Sequence, residues 1–196
     1  MGTKEFAALI PAAGESSRMG QPKLALAFDH QQTFVERCVS AYLDFGCIAI
    51  TVVARQESLP WLQRKSRHWP DVVNIAANNH PDKGRFHSVQ LGLRQIPEKT
   101  PVFLHNVDNP FVSLETLEAL VRHIDEVDYV RPVFQNQMGH PVLISSRVKD
   151  ALLNETTPVS SVRSFLKAYR SVDVPVDHAE VIVNINTPED YRRLFL

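Results

Sequence analysis

This sequence predicts an α/β fold, a three-layer, Rossmann-like arrangement in which a mainly parallel mixed sheet carries helices on both faces. Three observations lead there. Short β-branched runs alternate with helical periodicities along most of the chain. At 196 residues and 44% hydrophobic content, the chain can bury a sizeable core. No internal repeat, low-complexity tract or linker divides it, which predicts a single domain over residues 1–196.

The elements follow in order. Phe6 to Ile10, Ile48 to Val53, Val72 to Ile75 and Val102 to Leu104 are too short for helices and are bounded by turn or polar residues, so each is expected as a buried strand. Phe34, Val35, Cys38, Val39, Tyr42 and Leu43 recur at helical spacing up to a stop at Gly46. Ser88 to Ile96 and Leu114 to Ile124 repeat that pattern, and Pro97 ends the first of them. Such alternation winds right-handedly, and ligands in it bind beyond the carboxyl ends of the strands. After Asp128 the pattern changes to two extended runs, Tyr129 to Phe134 and His140 to Ile144, around the polar turn Gln135-Asn136-Gln137, which predicts a hairpin-like insertion. A helix around Ser160 to Tyr169 comes next, then extended runs near Val172 to Val176 and Val181 to Ile185. The last helix has Thr187 as cap and Pro188 in its first position.

A formal net charge of −1 with interleaved signs leaves no basic tract, so neither nucleic acid nor an acidic membrane surface is an expected partner. Any anionic ligand must be met by local charge. Met1 to Phe6 carry Lys4 and Glu5 instead of a signal peptide's apolar run, and no later segment reaches membrane-spanning length, so a cytoplasmic location is expected. Cys38 and Cys47 lack metal-site or disulfide-framework spacing and are expected as buried thiols without chemistry. His30, His68 and His123 have no partner spacing and are given no role either.

Three segments carry chemistry. The first strand runs into Pro11-Ala12-Ala13-Gly14-Glu15-Ser16-Ser17-Arg18-Met19-Gly20-Gln21-Pro22-Lys23, whose small residues let backbone amides approach a ligand and whose Arg18 and Lys23 add fixed positive charge. This suits a polyphosphate, and a solvated polar loop fits the same residues; it is not a Walker A loop. The fourth strand ends in His105-Asn106-Val107-Asp108-Asn109-Pro110, where Asp108 could hold Mg²⁺ or, equally, belong to a turn that ends the strand. Near the carboxyl terminus Asn184 and Asn186 have period-2 spacing, which on a strand puts both amides on one face, while capping by Thr187 to Asp190 explains part of the same pattern.

The run from Ala12 to Lys23 resembles the signature loop of the nucleotidyltransferases that act on the molybdenum cofactor, the MobA-like NTP transferases, and more broadly that of sugar-phosphate and methylerythritol-phosphate nucleotidyltransferases. The resemblance implies the nucleotide-diphospho-sugar transferase (GT-A) type of fold. It also implies transfer of an NMP from an NTP to a phosphorylated small-molecule acceptor, with Mg²⁺ as cofactor. Pro11, Ala12, Ala13, Gly14 and Ser16 would then hold the nucleotide, Arg18 would contact the β- and γ-phosphates, and Lys23 would bridge the α-phosphate to the acceptor. Asp108 matches the acid of an Asp-x-Pro motif that carries the metal, with Asn184 and Asn186 in the family's closing motif. Asn78 through Gly84, Ser88 and Gly92 resemble the base- and ribose-contacting segment, and Gly139-His140-Pro141-Val142 resembles a motif near the acceptor, with His140 the acceptor-binding candidate.

The branch stays open at this point. Alanine in Pro11-Ala12-Ala13-Gly14 and the Gly139-His140-Pro141 run favour CTP with molybdopterin or a related phosphorylated compound, whereas the Asn184 and Asn186 pair resembles the GTP-using branch. Arg85 with Ser88-Val89, and the run from His105 to Phe111, also resemble methylerythritol-phosphate cytidylyltransferase, which fits less well because its metal-holding acid falls on Asn106 and its arginine on Asn109. A nucleotide-binding protein of weak catalytic power is the remaining alternative.

Overall fold

The computed structural model describes residues 4–157, 159 and 161–196; Met1 and Ser160, which the sequence reading places in the first segment and a helix, lie outside the described residues. Eight strands form one sheet: β1 (Ala7–Pro11), β2 (Ala49–Arg55), β3 (Val73–Asn78), β4 (Val102–Leu104), β5 (Tyr129–Phe134), β6 (Gln137–Met138), β7 (Val142–Ile144) and β8 (Ser171–Pro175). Their order is β3-β2-β1-β4-β7-β5-β6, with β8 also paired to β5. β1, β2, β3 and β4 are mutually parallel, and β8 runs parallel to β5. β7 is antiparallel to both β4 and β5, and β6 folds back on β5, so the sheet is mixed and mainly parallel, as the alternation predicts.

The helices are α1 (Phe34–Phe45), α2 (Leu59–Lys65), α3 (Gly84–Leu93), α4 (Leu114–Val121), α5 (Ser146–Asn154), α6 (Val162–Leu166) and α7 (Pro188–Phe195). Side chains alternate across β1 and so feed two cores. Ala8 and Ile10 join Phe34, Cys38 and Tyr42 of α1 and Leu117 and Leu120 of α4. Ala7 and Leu9 join Val89 and Leu93 of α3 and Val148 and Leu152 of α5 on the opposite face. Three layers result. Both thiols are buried and free, and that burial pushes each up to about 12, which suits the absence of chemistry expected of them.

Local chemistry sets the element ends. Thr33 and Glu36 form a capping box at the start of α1, and Gly46 ends it in the left-handed region at φ 87°. Thr187 caps α7 with Pro188 in its first turn, as read from sequence. The expected strand from Val181 to Ile185 does not form. Residues Ala179–Ile182 make a 3-10 turn, and the backbone beyond it bonds to loops: Val183 N–H donates to Glu180 O and Ile185 N–H to Asp108 O. No helix among the described residues is long and apolar enough to cross a membrane.

Candidate functional site

β1 ends at Pro11 and the chain leaves the sheet as loop 12–22, held to β2 by Ala12 N–H donating to Val53 O at 2.7 Å. The loop turns on Ser16, whose φ is 51°. The Ser16 carbonyl accepts from Met19 and Gly20 N–H, and its hydroxyl accepts from Lys23 N–H at 3.2 Å. Met19 is buried beneath and anchors the turn, which leaves Gly14, Glu15, Ser17 and Arg18 exposed around a cleft of about 540 Å³. A Cβ placed on Gly14 would meet nothing within 4 Å, so its missing side chain serves the open cleft and not local packing. Arg55 at the end of β2, Pro81 and Asp82 before α3, Gly84, Arg85 and Ser88 of α3, Asn106 to Asp108 after β4, and Asn186 before α7 complete the lining. The cleft thus lies beyond the carboxyl ends of β1, β2 and β4, where a parallel sheet binds ligands.

At its floor Lys23 Nζ donates to Asp108 Oδ2 at 3.1 Å and to Asn186 Oδ1 at 2.6 Å. Two hard oxygens from segments far apart in sequence therefore converge on one cationic point. Asp108 Oδ1 is buried without a hydrogen-bond partner. Among the described residues no three His, Cys, Asp or Glu side chains cluster to hold a metal by themselves. A hard divalent cation that takes few protein ligands and fills the remaining positions with phosphate and water oxygens fits this donor set.

The Asp108 loop is fixed from below. Buried His105 accepts from Tyr42 Oη at Nδ1 (2.7 Å), and its Nε2–H donates to Asn109 O (2.5 Å). Burial lowers the His105 pKa to about 4, so the ring is neutral at pH 7. Asn109, fully buried, donates from Nδ2 to the carbonyls of Glu180 and Val181 at 3.1 and 3.0 Å. Val181 O also accepts from His140 N–H at 2.8 Å. One carbonyl thus ties the Asp108 loop, the His140 segment and the segment leading to Asn186 together. Gly139 makes room for it, since a Cβ there would come within 2.8 Å of the Val181 carbonyl and side chain.

A second cleft of about 510 Å³ adjoins the first and shares Pro11, Arg85 and Asn106 with it. Tyr129 and Arg131 of β5, Met138, His140, Val142 of β7, Arg163 and Leu166 of α6, Lys167 and Tyr169 line the rest. Among the described residues its lining carries no acid. Arg131 is engaged by Asp173 and lies over the Tyr129 ring. His140 Nε2 meets Asn106 Nδ2 at 3.0 Å, and burial lowers the His140 pKa to about 4.

Of the sequence candidates, Pro11, Ala12, Ala13, Gly14, Ser16, Arg18, Lys23, Gly84, Ser88, Asp108 and Asn186 line the first cleft and His140 the second. Three are corrected. Asn78 is buried behind the cleft, where it donates to Ser88 Oγ at 2.8 Å and so supports a lining residue without lining the cleft itself. Asn184 is exposed, its amide donates to Ile182 O, and it lines neither cleft; the period-2 inference failed because no strand forms there. Gly92 belongs to the core, where a Cβ would come within 2.2 Å of Leu9. Arg55, the Tyr42–His105 bond, the Asn109 clamp and the second cleft's cations other than Arg85 carry no local pattern in the sequence, and Arg85 is reached there only through the methylerythritol-phosphate cytidylyltransferase resemblance.

Comparison with known proteins identifies the family and the fold. The family model described as the MobA-like NTP transferase domain matches residues 8–174. A molybdenum cofactor cytidylyltransferase of Escherichia coli is 27% identical over 187 residues, covering 93% of this chain and 92% of that protein. Two solved structures share the fold. Molybdopterin-guanine dinucleotide biosynthesis protein A of Archaeoglobus fulgidus gives a TM-score of 0.71 at 20% identity, with 96% of each chain covered. A Mycobacterium tuberculosis protein solved in complex with manganese gives 0.77 at 18% identity, covering 97% of this chain and 98% of that one.

Proposed function

This chain belongs to the MobA-like NTP transferase family and is a nucleotidyltransferase, and on that premise we propose that it moves CMP from CTP to a phosphorylated acceptor, molybdopterin or a relative, with release of pyrophosphate. The observation that carries the reading is the convergence of Lys23 Nζ, Asp108 Oδ2 and Asn186 Oδ1 at the floor of a cleft that opens directly onto a second, acid-free one. The likeness to a cytidylyltransferase over nearly the whole chain supports CTP and the molybdenum cofactor as substrates.

In this mechanism residues 1–196 act as one domain. The backbone of Ala12 to Gly14 and Ser16 cradles the nucleotide, Arg18 faces the outer phosphates, and Gly84 and Ser88 border the base. Asp108 and Asn186 would hold Mg²⁺, which would supply positive charge against the α-phosphoryl group and the departing pyrophosphate. Lys23, which stands beside both, would meet the α-phosphate. The acceptor sits in the second cleft beside His140, its phosphate already an anion, so in-line attack on the α-phosphorus needs no general base. Holding the two anions together at fixed cations is the protein's contribution. Near-neutral overall charge and the absence of a basic tract leave small molecules, not nucleic acid or membrane, as the partners in this reading, and a cytoplasmic location belongs to the same proposal.

Pyrophosphate release from each of the four NTPs with Mg²⁺ and molybdopterin tests it, with CTP and GTP in direct competition. CTP should win, and Ala13→Gly should relax the preference by opening room for a purine. Preferential use of GTP by the unmodified protein would assign it to the guanylyl branch, the reading that the neutral amide of Asn186 favours. Nucleotide binding without any release would reduce the chain to a binder.

A further inference from the structure

The two clefts meet at Pro11, Arg85 and Asn106, the residues that line both. Pro11 brings no charge, and the Asn106 amide is engaged with His140. Arg18 and Lys23 line the first cleft alone, and Arg163 and Lys167 the second alone. Lys23 is, moreover, already held by Asp108 and Asn186. Arg85 is therefore the cation that faces both sides. It stands in the first turn of α3 with part of its side chain open to solvent and no hydrogen bond or ion pair to its guanidinium among the described residues; the surrounding cleft walls desolvate the guanidinium and lower its pKa, and the charge of Asp108 partly offsets that from a distance.

We propose that Arg85 is a catalytic residue shared by the two substrates, its guanidinium meeting the nucleotide's α-phosphate from one cleft and the acceptor's phosphate from the other. The inference rests on the reading of the second cleft as the acceptor's. In-line transfer needs the attacking oxygen about 3–3.5 Å from the α-phosphorus, so the two phosphates must meet where the clefts join. Two anions at that separation repel unless a cation lies between them. A guanidinium, with five donors in a planar fork, can bond two phosphates at once, whereas an ammonium acts as a point charge. An acceptor phosphate oxygen forms the new bond to the α-phosphorus, the α–β bridging bond breaks, and pyrophosphate leaves with the electron pair. Arg85 gives up no proton. It replaces Lys23 in the bridging role that the sequence resemblance implied.

The test uses the full chain and two probes, a CTP analogue with an uncleavable methylene α–β bridge for the first cleft and inorganic phosphate for the second. Analogue affinity is measured by calorimetry with Mg²⁺. Phosphate affinity is then read by ³¹P NMR on protein saturated with analogue. Arg85→Ala should weaken both probes about tenfold, with Arg85→Lys restoring part of each, while its melting temperature stays that of the parent. As references, Arg18→Ala should weaken the analogue alone and Arg163→Ala the phosphate alone. A loss confined to one probe in Arg85→Ala overturns the sharing of this residue. If the parent protein binds no phosphate once the analogue is in place, or Arg163→Ala leaves that binding unchanged, the assignment of the second cleft falls, and the proposal with it.

Discussion

The first cleft mixes charges and the second does not. Glu15, Asp82 and Asp108 share the first with Arg18, Lys23, Arg55 and Arg85, whereas the second sets Arg85, Arg131, Arg163 and Lys167 among Tyr129, Tyr169, Leu104 and Leu166 with no carboxylate. A mixed-sign cleft can take a metal together with a polyphosphate. An acid-free, half-apolar one suits an organic anion and repels a free cation. The metal of the proposed reaction thus travels with the nucleotide, and the acceptor's charge is met by side chains alone.

The sharpest way to break this division is Asp108→Asn, which deletes the cleft's metal-side charge without changing its volume. Turnover measured by pyrophosphate release should fall about 10²–10³-fold, comparable to losing a key electrostatic contact, with an unchanged melting curve. Full turnover in limiting Mg²⁺ would place the metal elsewhere.

Acid should strain the shared scaffold next. His105 beneath the first cleft and His140 in the wall of the second both titrate near 4, well below the ordinary 6.5. Between those values the unfolded chain holds the extra protons, so stability is full above about pH 6.5 and falls as pH drops toward 4. Buried His105 accounts for a loss on the order of 3 kcal/mol. Urea midpoints at pH 7 and pH 4.5 should show it, and His105→Gln should flatten the difference. A pH-independent midpoint would mean that both rings are protonated in the fold.

Lys23→Met sharpens the comparison from the metal's side. It should reduce kcat about 10²-fold with a smaller effect on nucleotide binding, since the charge it meets grows in the transition state. The same variant, free of nucleotide, should bind Mn²⁺ more tightly than the parent by electron paramagnetic resonance, because a competing cation has been removed from Asp108 and Asn186. Weaker Mn²⁺ binding would make Lys23 a support for the metal and not its rival. The smallest effect is reserved for Arg18→Ala, which should weaken CTP about tenfold and leave CMP nearly unchanged. Equal losses would move Arg18 away from the outer phosphates.

The same two regions differ in how far the sequence discloses them. The first cleft rests largely on one contiguous loop, Pro11 to Lys23, and on strand ends, where parallel α/β topology dictates that ligands lie, so Arg18, Lys23 and Asp108 are legible from local pattern, whereas Gly84 and Ser88 are reached through resemblance. Asn184 was misplaced because the run from Val181 to Ile185 has strand composition, yet its backbone groups are taken by Glu180 and Asp108, a choice made by tertiary contacts. The second cleft draws on β5, β7, α6 and the shared Pro11 and Arg85, with spacing that carries no period. His140 was reached only through resemblance. The Asn109 clamp was hidden in the same way, since an Asn-Pro pair reads as a turn and nothing local says that its amide will reach two carbonyls some seventy residues on.

The seat that Lys23 occupies bears on how the protein comes into being. A half-buried carboxylate facing no positive charge carries a desolvation cost, and many metal sites make their fold depend on loading for that reason. Here the chain supplies its own counter-ion, 3.1 Å from Asp108 Oδ2. Folding should therefore not wait on metal supply, and the melting temperature of the chain is expected to be the same with and without a chelator.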